Sequence, residues 1–237
     1  MAHSGGKSNK NPEKGKTMIY FFADNHYDAH PGRVLYEHLS QELQARTRFY
    51  EDQWEELENG GWEADCELLI LNVIGGTCEQ PHPGAGAEAA VRRYLESGRS
   101  ALLLHGSSAA FWQWDWWRPL AGLRWVRPGD PDGVETSTHP ATPCVVQVAK
   151  TRHPLAKRLV DFALPLDEVY INLEQTAPTS ILMTTQIEQG TFPQCCETLS
   201  PWGGRLVSFI PGHKPECVST PGLIADAESI INYLLEQ

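Results

Sequence analysis

The sequence predicts an α/β fold, a mainly parallel sheet with helices on both faces. Two observations carry this. From Thr17 to about residue 105, short apolar runs alternate with stretches whose apolar residues recur at helical spacing. The runs are apolar on both faces, as strands covered on both sides of a parallel sheet are. At 237 residues the chain suits one domain with a full core.

The elements follow in order. Residues 1–16, MAHSGGKSNKNPEKGK, are polar, glycine-rich and basic, and read as a flexible tail ahead of a single domain, 17–237. "MIYFFAD" is a buried strand. In "GRVLYEHLSQEL", Leu35, Leu39 and Leu43 form a helix stripe. "RFYED" is a short second strand, and "CELLILNVIGG" a strong buried one. "GAEAAVRRYLESG" is a helix with Ala87, Ala90, Val91, Tyr94 and Leu95 on one face and Gly98 as its stop. "SALLLH" is the next buried strand. Beyond residue 120 the pattern loosens. "PCVVQVAK", "SILMTTQIE" and "GRLVSFI" read as strands, and "HPLAKRLVDF" as a short helix with Pro154 in its first turn. Leu223, Ile224, Ala227, Ile230, Ile231, Leu234 and Leu235 share one stripe of a closing helix.

Composition narrows function. A formal charge of −11 argues against nucleic acid as a partner. No run of about 18 apolar residues marks a membrane span, and residues 1–16 lack the apolar core of a signal peptide. These features predict a cytoplasmic protein. The six cysteines form no CxxC pair, and Cys195-Cys196 with His213 and Cys217 fits no usual zinc spacing. No residues are assigned to a metal on spacing.

In such sheets ligands bind beyond the carboxyl ends of the strands. That rule selects Asp24, Asn25 and His26; Thr77 and Cys78; His105, Ser107 and Ser108; and His213 and Lys214. A histidine stands at three of these four strand ends. Around Ser107 the neighbours are all small, as a nucleophile elbow needs, yet a serine there equally serves as an ordinary helix cap. His105 is either a hydrogen-bonded core residue or an acid-base group. In "FWQWDWW", Trp112 and Trp116 share a helical face if a helix follows the bend; the run is core packing, or Trp112 stacks on a sugar ring. Cys78 is a competing nucleophile, but prolines follow it and deny it a helix N-terminus. In "DEVYINLEQ", Glu168, Tyr170, Asn172 and Glu174 point one way if the segment is a strand.

Three segments in order, "LLLHGSSAAFWQW", "RHPLAKRLVDFALPLDEVY" and "GRLVSFIPGH", resemble the trehalose-utilisation, or ThuA-like, family. The resemblance implies a flavodoxin-like, doubly wound sheet of the class I glutamine amidotransferase-like type. The elbow here reads His105-Gly106-Ser107-Ser108 without a cysteine, so glutamine hydrolysis through a thiolate is not expected. What the family implies is carbohydrate utilisation, often beside dehydrogenases that make 3-keto sugars. The matched positions are His105, Ser107, Trp112, His153, Glu168, Tyr170 and His213, with His139 in a further His-Pro.

The expected chemistry is proton transfer on a sugar or keto sugar. His105, Ser107, Glu168 and His213 are the candidate catalytic residues. Asp24, Asn25, Trp112 and Tyr170 are the candidate substrate contacts. A divalent metal held by the histidines and Glu168 is an alternative way to polarise a carbonyl. Two other readings stand beside this one: a non-catalytic sugar-binding module, and a hydrolase with Ser107, His213 and Glu168 as a triad. The partner expected is a small sugar; a homo-oligomer is compatible with the sequence.

Overall fold

The computed structural model describes residues 17–74, 83–130 and 134–236. Thr77 and Cys78 lie outside the described residues. The chain runs β1 (Met18–Ala23), α1 (Pro31–His38), α2 (Gln41–Arg46), β2 (Thr47–Glu51), α3 (Trp54–Glu58), β3 (Cys66–Asn72), α4 (Ala85–Glu96) and β4 (Ser100–Leu104). It continues with α5 (Trp117–Leu120), β5 (Leu123–Arg124), β6 (Ala141–Val148), β7 (Phe162–Glu168), β8 (Glu174–Gln175), β9 (Thr179–Ile187), β10 (Gly190–Leu199), β11 (Arg205–Phe209), α6 (Pro215–Val218) and α7 (Pro221–Leu235).

Nine strands form one sheet in the order β2-β1-β3-β4-β11-β10-β9-β6-β7. The first five are mutually parallel. The rest pair antiparallel. Strands β1, β3 and β4 of the parallel half are apolar on both faces because both faces are covered. Ile19, Phe21, Leu68, Ile70, Leu102 and Leu104 enter one core with α1 and α7. Tyr20, Phe22, Leu69, Leu71, Ala101 and Leu103 enter the other with α3, α4 and the tryptophan run. Each fully buried Leu, Ile or Phe contributes about 1.5–3 kcal/mol by leaving water.

The stripe at Leu35, Leu39 and Leu43 is buried as expected, but its helix is divided. Leu39 turns extended (ψ 154°) between α1 and α2. Gly98 ends the α4 region at φ 81°, a conformation that suits glycine.

Two expectations fail. "HPLAKRLVDF" makes only a single 3-10 turn, Leu155–Arg158. The Val160 N–H donates to Asp226 Oδ1 at 2.9 Å, and Asp161 Oδ1 accepts the Val148 N–H at 2.8 Å. These bonds draw the chain out of helix and into β7, an edge strand that tolerates Pro165. No helix follows the bend after β4 either. Ala109, Trp114 and Trp117 each donate to a carbonyl three residues back, so the segment is a chain of turns up to α5. Phe111, Trp114 and Trp117 pack there as core, with Phe111 and Trp114 stacked at 4.0 Å.

Strand β10 was not expected. It lies between β9 and β11 and carries Pro193 at a register shift, a bulge where a residue without N–H is tolerated. Cys195 and Cys196 are buried on it, and burial pushes both thiols up. They are strand core and hold no zinc-like grouping among the described residues.

The antiparallel half curls back toward the parallel one. Phe162 on β7 meets Phe209 on β11 with ring centres 6.3 Å apart. Following the alternation from β11, β7 runs in the same sense as the parallel strands, so its carboxyl end arrives at the same rim.

Candidate functional site at the carboxyl rim of the sheet

A cleft of about 570 Å³ opens at this rim. Its polar floor is His26 after β1, His105 after β4, Glu168 and Tyr170 after β7, and His213 after β11. Trp125, Arg127 and Pro128 after β5 form a further wall, with His139 beside Glu168. That volume falls within the roughly 300–1,000 Å³ typical of small-molecule sites.

Three imidazoles converge. His213 Nδ1 lies 3.0 Å from His26 Nε2 and 3.1 Å from His105 Nε2. The Tyr170 hydroxyl lies 2.9 Å from the same His105 nitrogen. Glu168 Oε2 stands 3.4 Å from His213 Nδ1 and 3.6 Å from His105 Nε2, while its other oxygen lies 3.1 Å from His139 Nδ1.

Each ring is positioned from behind. His105 ends β4 in the left-handed region (φ 49°), which costs a non-glycine residue about 1 kcal/mol or more and turns the ring into the cleft. Its Nδ1 faces the Ile210 carbonyl at 2.9 Å; that nitrogen therefore donates, and Nε2 presents a lone pair in the neutral ring. Gly106 leaves room for this bend, since a Cβ there would meet Ile74 Cγ2 at 2.7 Å. His213 is held through its backbone. Asp167 accepts the N–H groups of Gly212 at 2.7 Å and His213 at 2.9 Å. His26, Tyr27, Asp28 and His30 all have positive φ.

Burial, then the neighbouring His26 and His213 rings, hold His105 well below its usual range. Burial, then His26 and His139, lower His213 to about 4. Both rings are therefore neutral at pH 7. Burial raises Glu168, against the opposing pull of His139 and His26. Burial raises Tyr170 well above its usual range, and the Glu168 charge adds to that. The ordinary imidazole pKa that made His105 attractive as an acid-base group is thus lost in its buried setting.

Of the expected site residues, His105, Glu168, Tyr170 and His213 come together. Four do not line the cleft. The Ser107 hydroxyl is fully buried; it donates to the Leu71 carbonyl at 2.9 Å and accepts the Val73 N–H at 2.8 Å. It ties the bend to the end of β3 and faces neither Glu168 nor His213, which removes the triad. Trp112 sits outside the cleft, 37% exposed, with the Arg127 guanidinium 5.3 Å from its ring. It missed the cleft because the helix meant to carry it is absent. Asn25 spends its amide on Asp52 and on the Asp28 N–H, folding its own loop. Asp24 is buried; its Oδ2 accepts the Ile74 N–H at 2.7 Å, and its Oδ1 lies 3.7 Å from His26 Nδ1. It supports a ring rather than a substrate. His153 pairs with Glu197 at 3.1 Å on β10 and is not among the cleft residues.

His26 is selected by the sequence as a strand-end residue but not carried into the catalytic or substrate sets, and Trp125 and Arg127 are not named there. His26 stood at a strand end beside Asp24 and Asn25. Trp125 had no pattern to mark it.

No curated protein matches the sequence. The structure superposes on a ThuA-like protein from Parabacteroides merdae with TM-score 0.69 at 15% identity, over 93% of this chain and 90% of that one. A ThuA-like protein from Bacteroides uniformis gives 0.65 at 13% identity, over 96% and 95%. A β-galactosidase from Bacillus circulans sp. alkalophilus gives 0.55 at 11% identity, over 93% of this chain but 31% of that one. At these identities the likeness is one of fold, and it agrees with a flavodoxin-like α/β architecture. The family model for ThuA, trehalose utilisation, matches residues 65–227, well over half of the chain. With the rim geometry and this match together, the chain belongs to the ThuA family of trehalose utilisation.

Proposed function

We propose that this protein is an enzyme of carbohydrate utilisation that moves a proton on a small sugar, or its keto derivative, bound in the rim cleft. The observation that carries the reading is the arrival of Glu168 and Tyr170 from β7 opposite His105 and His213. Next to a ketone, a carboxylate removes the C–H proton of the adjoining carbinol carbon and the electron pair moves onto the carbonyl oxygen; the neighbouring hydroxyl proton passes to that oxygen, and the first proton returns to the former carbonyl carbon, which leaves the ketone one position along. Glu168 is the proton carrier. His139 holds one of its oxygens and leaves the other facing the cleft. Trp125 supplies an aromatic surface suited to the C–H face of a pyranose, and Arg127 supplies donors for hydroxyls. No cysteine is needed for this chemistry. The described cysteines, Cys66, Cys144, Cys195, Cys196 and Cys217, are all buried.

The test is incubation with 3-keto disaccharides and their parent sugars in deuterated water, followed by NMR. Turnover with deuterium incorporated beside the ketone is expected, and Glu168→Gln is expected to lower it by about 10²–10⁴-fold, the usual contribution of a positioned acid-base group. Saturable binding without exchange or product would make the protein a binding module instead.

A further inference from the structure

We propose that His26, His105 and His213 are the ligands of one divalent transition-metal ion of the zinc type, with the Glu168 carboxylate as its adjoining negative charge. The inference does not depend on which sugar the cleft accepts. Three observations carry it.

The first is distance. The ligand nitrogens of all three rings lie within 4.8 Å of one another, and two of the separations are 3.0 and 3.1 Å. Tetrahedral zinc with Zn–N of about 2.0–2.1 Å sets its ligand atoms about 3.3 Å apart. Glu168 Oε2, at 3.4 and 3.6 Å from two of these nitrogens, falls at the same spacing.

The second is proton accounting. His105 spends its Nδ1 proton on the Ile210 carbonyl, so its Nε2 carries no proton and accepts from the Tyr170 hydroxyl, 2.9 Å away. His213 Nδ1 sits near both that nitrogen and His26 Nε2, but it has at most one proton to share between them. A second proton among them would put charge into a buried cluster. A cation at the centre would take all three lone pairs at once, with the Tyr170 hydroxyl giving up His105 Nε2 to it.

The third is the support behind the rings. A metal-ligating histidine characteristically gives its other nitrogen to a carbonyl or carboxylate. His105 does so to Ile210. Among the described residues His26 Nδ1 is buried without a hydrogen-bond partner, and 3.7 Å from it lies Asp24 Oδ1, likewise buried without one. A small shift of the His26 ring toward Asp24 closes that bond. Three imidazoles beside one carboxylate suit zinc, cobalt or iron(II) better than magnesium or calcium, which prefer all-oxygen shells. His26 lies before residue 65, outside the segment that the family model matches.

The test uses the full chain, stripped with chelator and titrated with Zn²⁺ and separately with Co²⁺, read by calorimetry, thermal unfolding and the Co²⁺ visible spectrum. One ion per chain, with a raised unfolding temperature, is expected. His26→Gln and His213→Gln are each expected to weaken binding by 100-fold or more. Asp24→Asn is expected to weaken it by about 10–100-fold, as for other outer-shell partners. His213 is the most exposed of the three rings, so its variant keeps the test alive if the His26 variant does not fold by circular dichroism. Wild type that retains no Zn²⁺ after gel filtration and unfolds at the same temperature with and without it would overturn the proposal, as would His213→Gln binding Zn²⁺ like wild type. Absence of sugar turnover bears only on the proposed activity, because metal binding is read here without substrate.

Discussion

The two halves of the sheet serve the cleft differently. The parallel half, β2-β1-β3-β4-β11, delivers three imidazoles at three strand ends, each from a strand buried on both faces. The antiparallel half curls over and delivers acidic and phenolic groups from the end of β7: Asp167, Glu168 and Tyr170. The first half is held by apolar packing. The second is joined to the first by the β10–β11 ladder and a shared apolar core, and its β7 end is pinned at the rim by Asp167, which accepts the Gly212 and His213 N–H groups. The site exists where they meet, so packing and polar stitching are both needed to form it.

That contrast can be broken from either side. The largest loss is expected in the parallel half. Ile70→Ala, at a fully buried position in the middle of β3, should cost about 2–5 kcal/mol in a denaturant titration. A cost below about 1 kcal/mol would mean that this half is not the packed frame. Next comes the polar joint. Asp167→Ala strands two backbone N–H groups and should cost about 2–4 kcal/mol, with the His213 ring signals broadened in NMR spectra. A near-neutral effect would show that β7 docks by packing alone.

Asp226 on α7 offers a smaller test with a fixed sign. Burial raises it from 3.8 to about 7, and Asp161 adds to the rise while the Val160 N–H opposes it. A carboxyl with a raised folded pKa contributes stability that is complete below about pH 4 and declines as pH climbs toward 7. Asp226→Asn should therefore gain on wild type by roughly 1–3 kcal/mol between pH 4 and pH 7, then level off. A difference independent of pH would contradict the assignment. The smallest effect belongs to Ser107. Ser107→Ala should cost about 1 kcal/mol for a lost stitch to β3, and a serine-directed phosphonate should leave Ser107 unlabelled in wild type. Labelling at Ser107 would restore the hydrolase reading.

The same contrast explains what was legible in the sequence. Strands apolar on both faces and helices with regular stripes announce themselves, so β1, β3, β4, β11, α4 and α7 were readable, and with them the strand ends that carry His105 and His213. The antiparallel half was harder. Pro193 in β10 and Pro165 in β7 look like breakers, yet one sits at a bulge and the other on an edge. The tryptophan run has helical spacing but folds as successive turns, with Phe111, Trp114 and Trp117 packed against one another in the core. Glu168 and Tyr170 were named from the family resemblance; alternation alone allowed a solvated edge. His26 was hidden by its neighbours. Only the fold shows that Asp24 turns behind it and Asn25 turns away.

The convergence of imidazoles from β1, β4 and β11 is tested most directly by anomalous scattering from crystals grown with Zn²⁺, recorded on both sides of the zinc edge. One strong peak is expected at bonding distance, about 2.0–2.1 Å, from His26 Nε2, His105 Nε2 and His213 Nδ1. Crystals that show no peak there, or in which the three rings point apart, would contradict it.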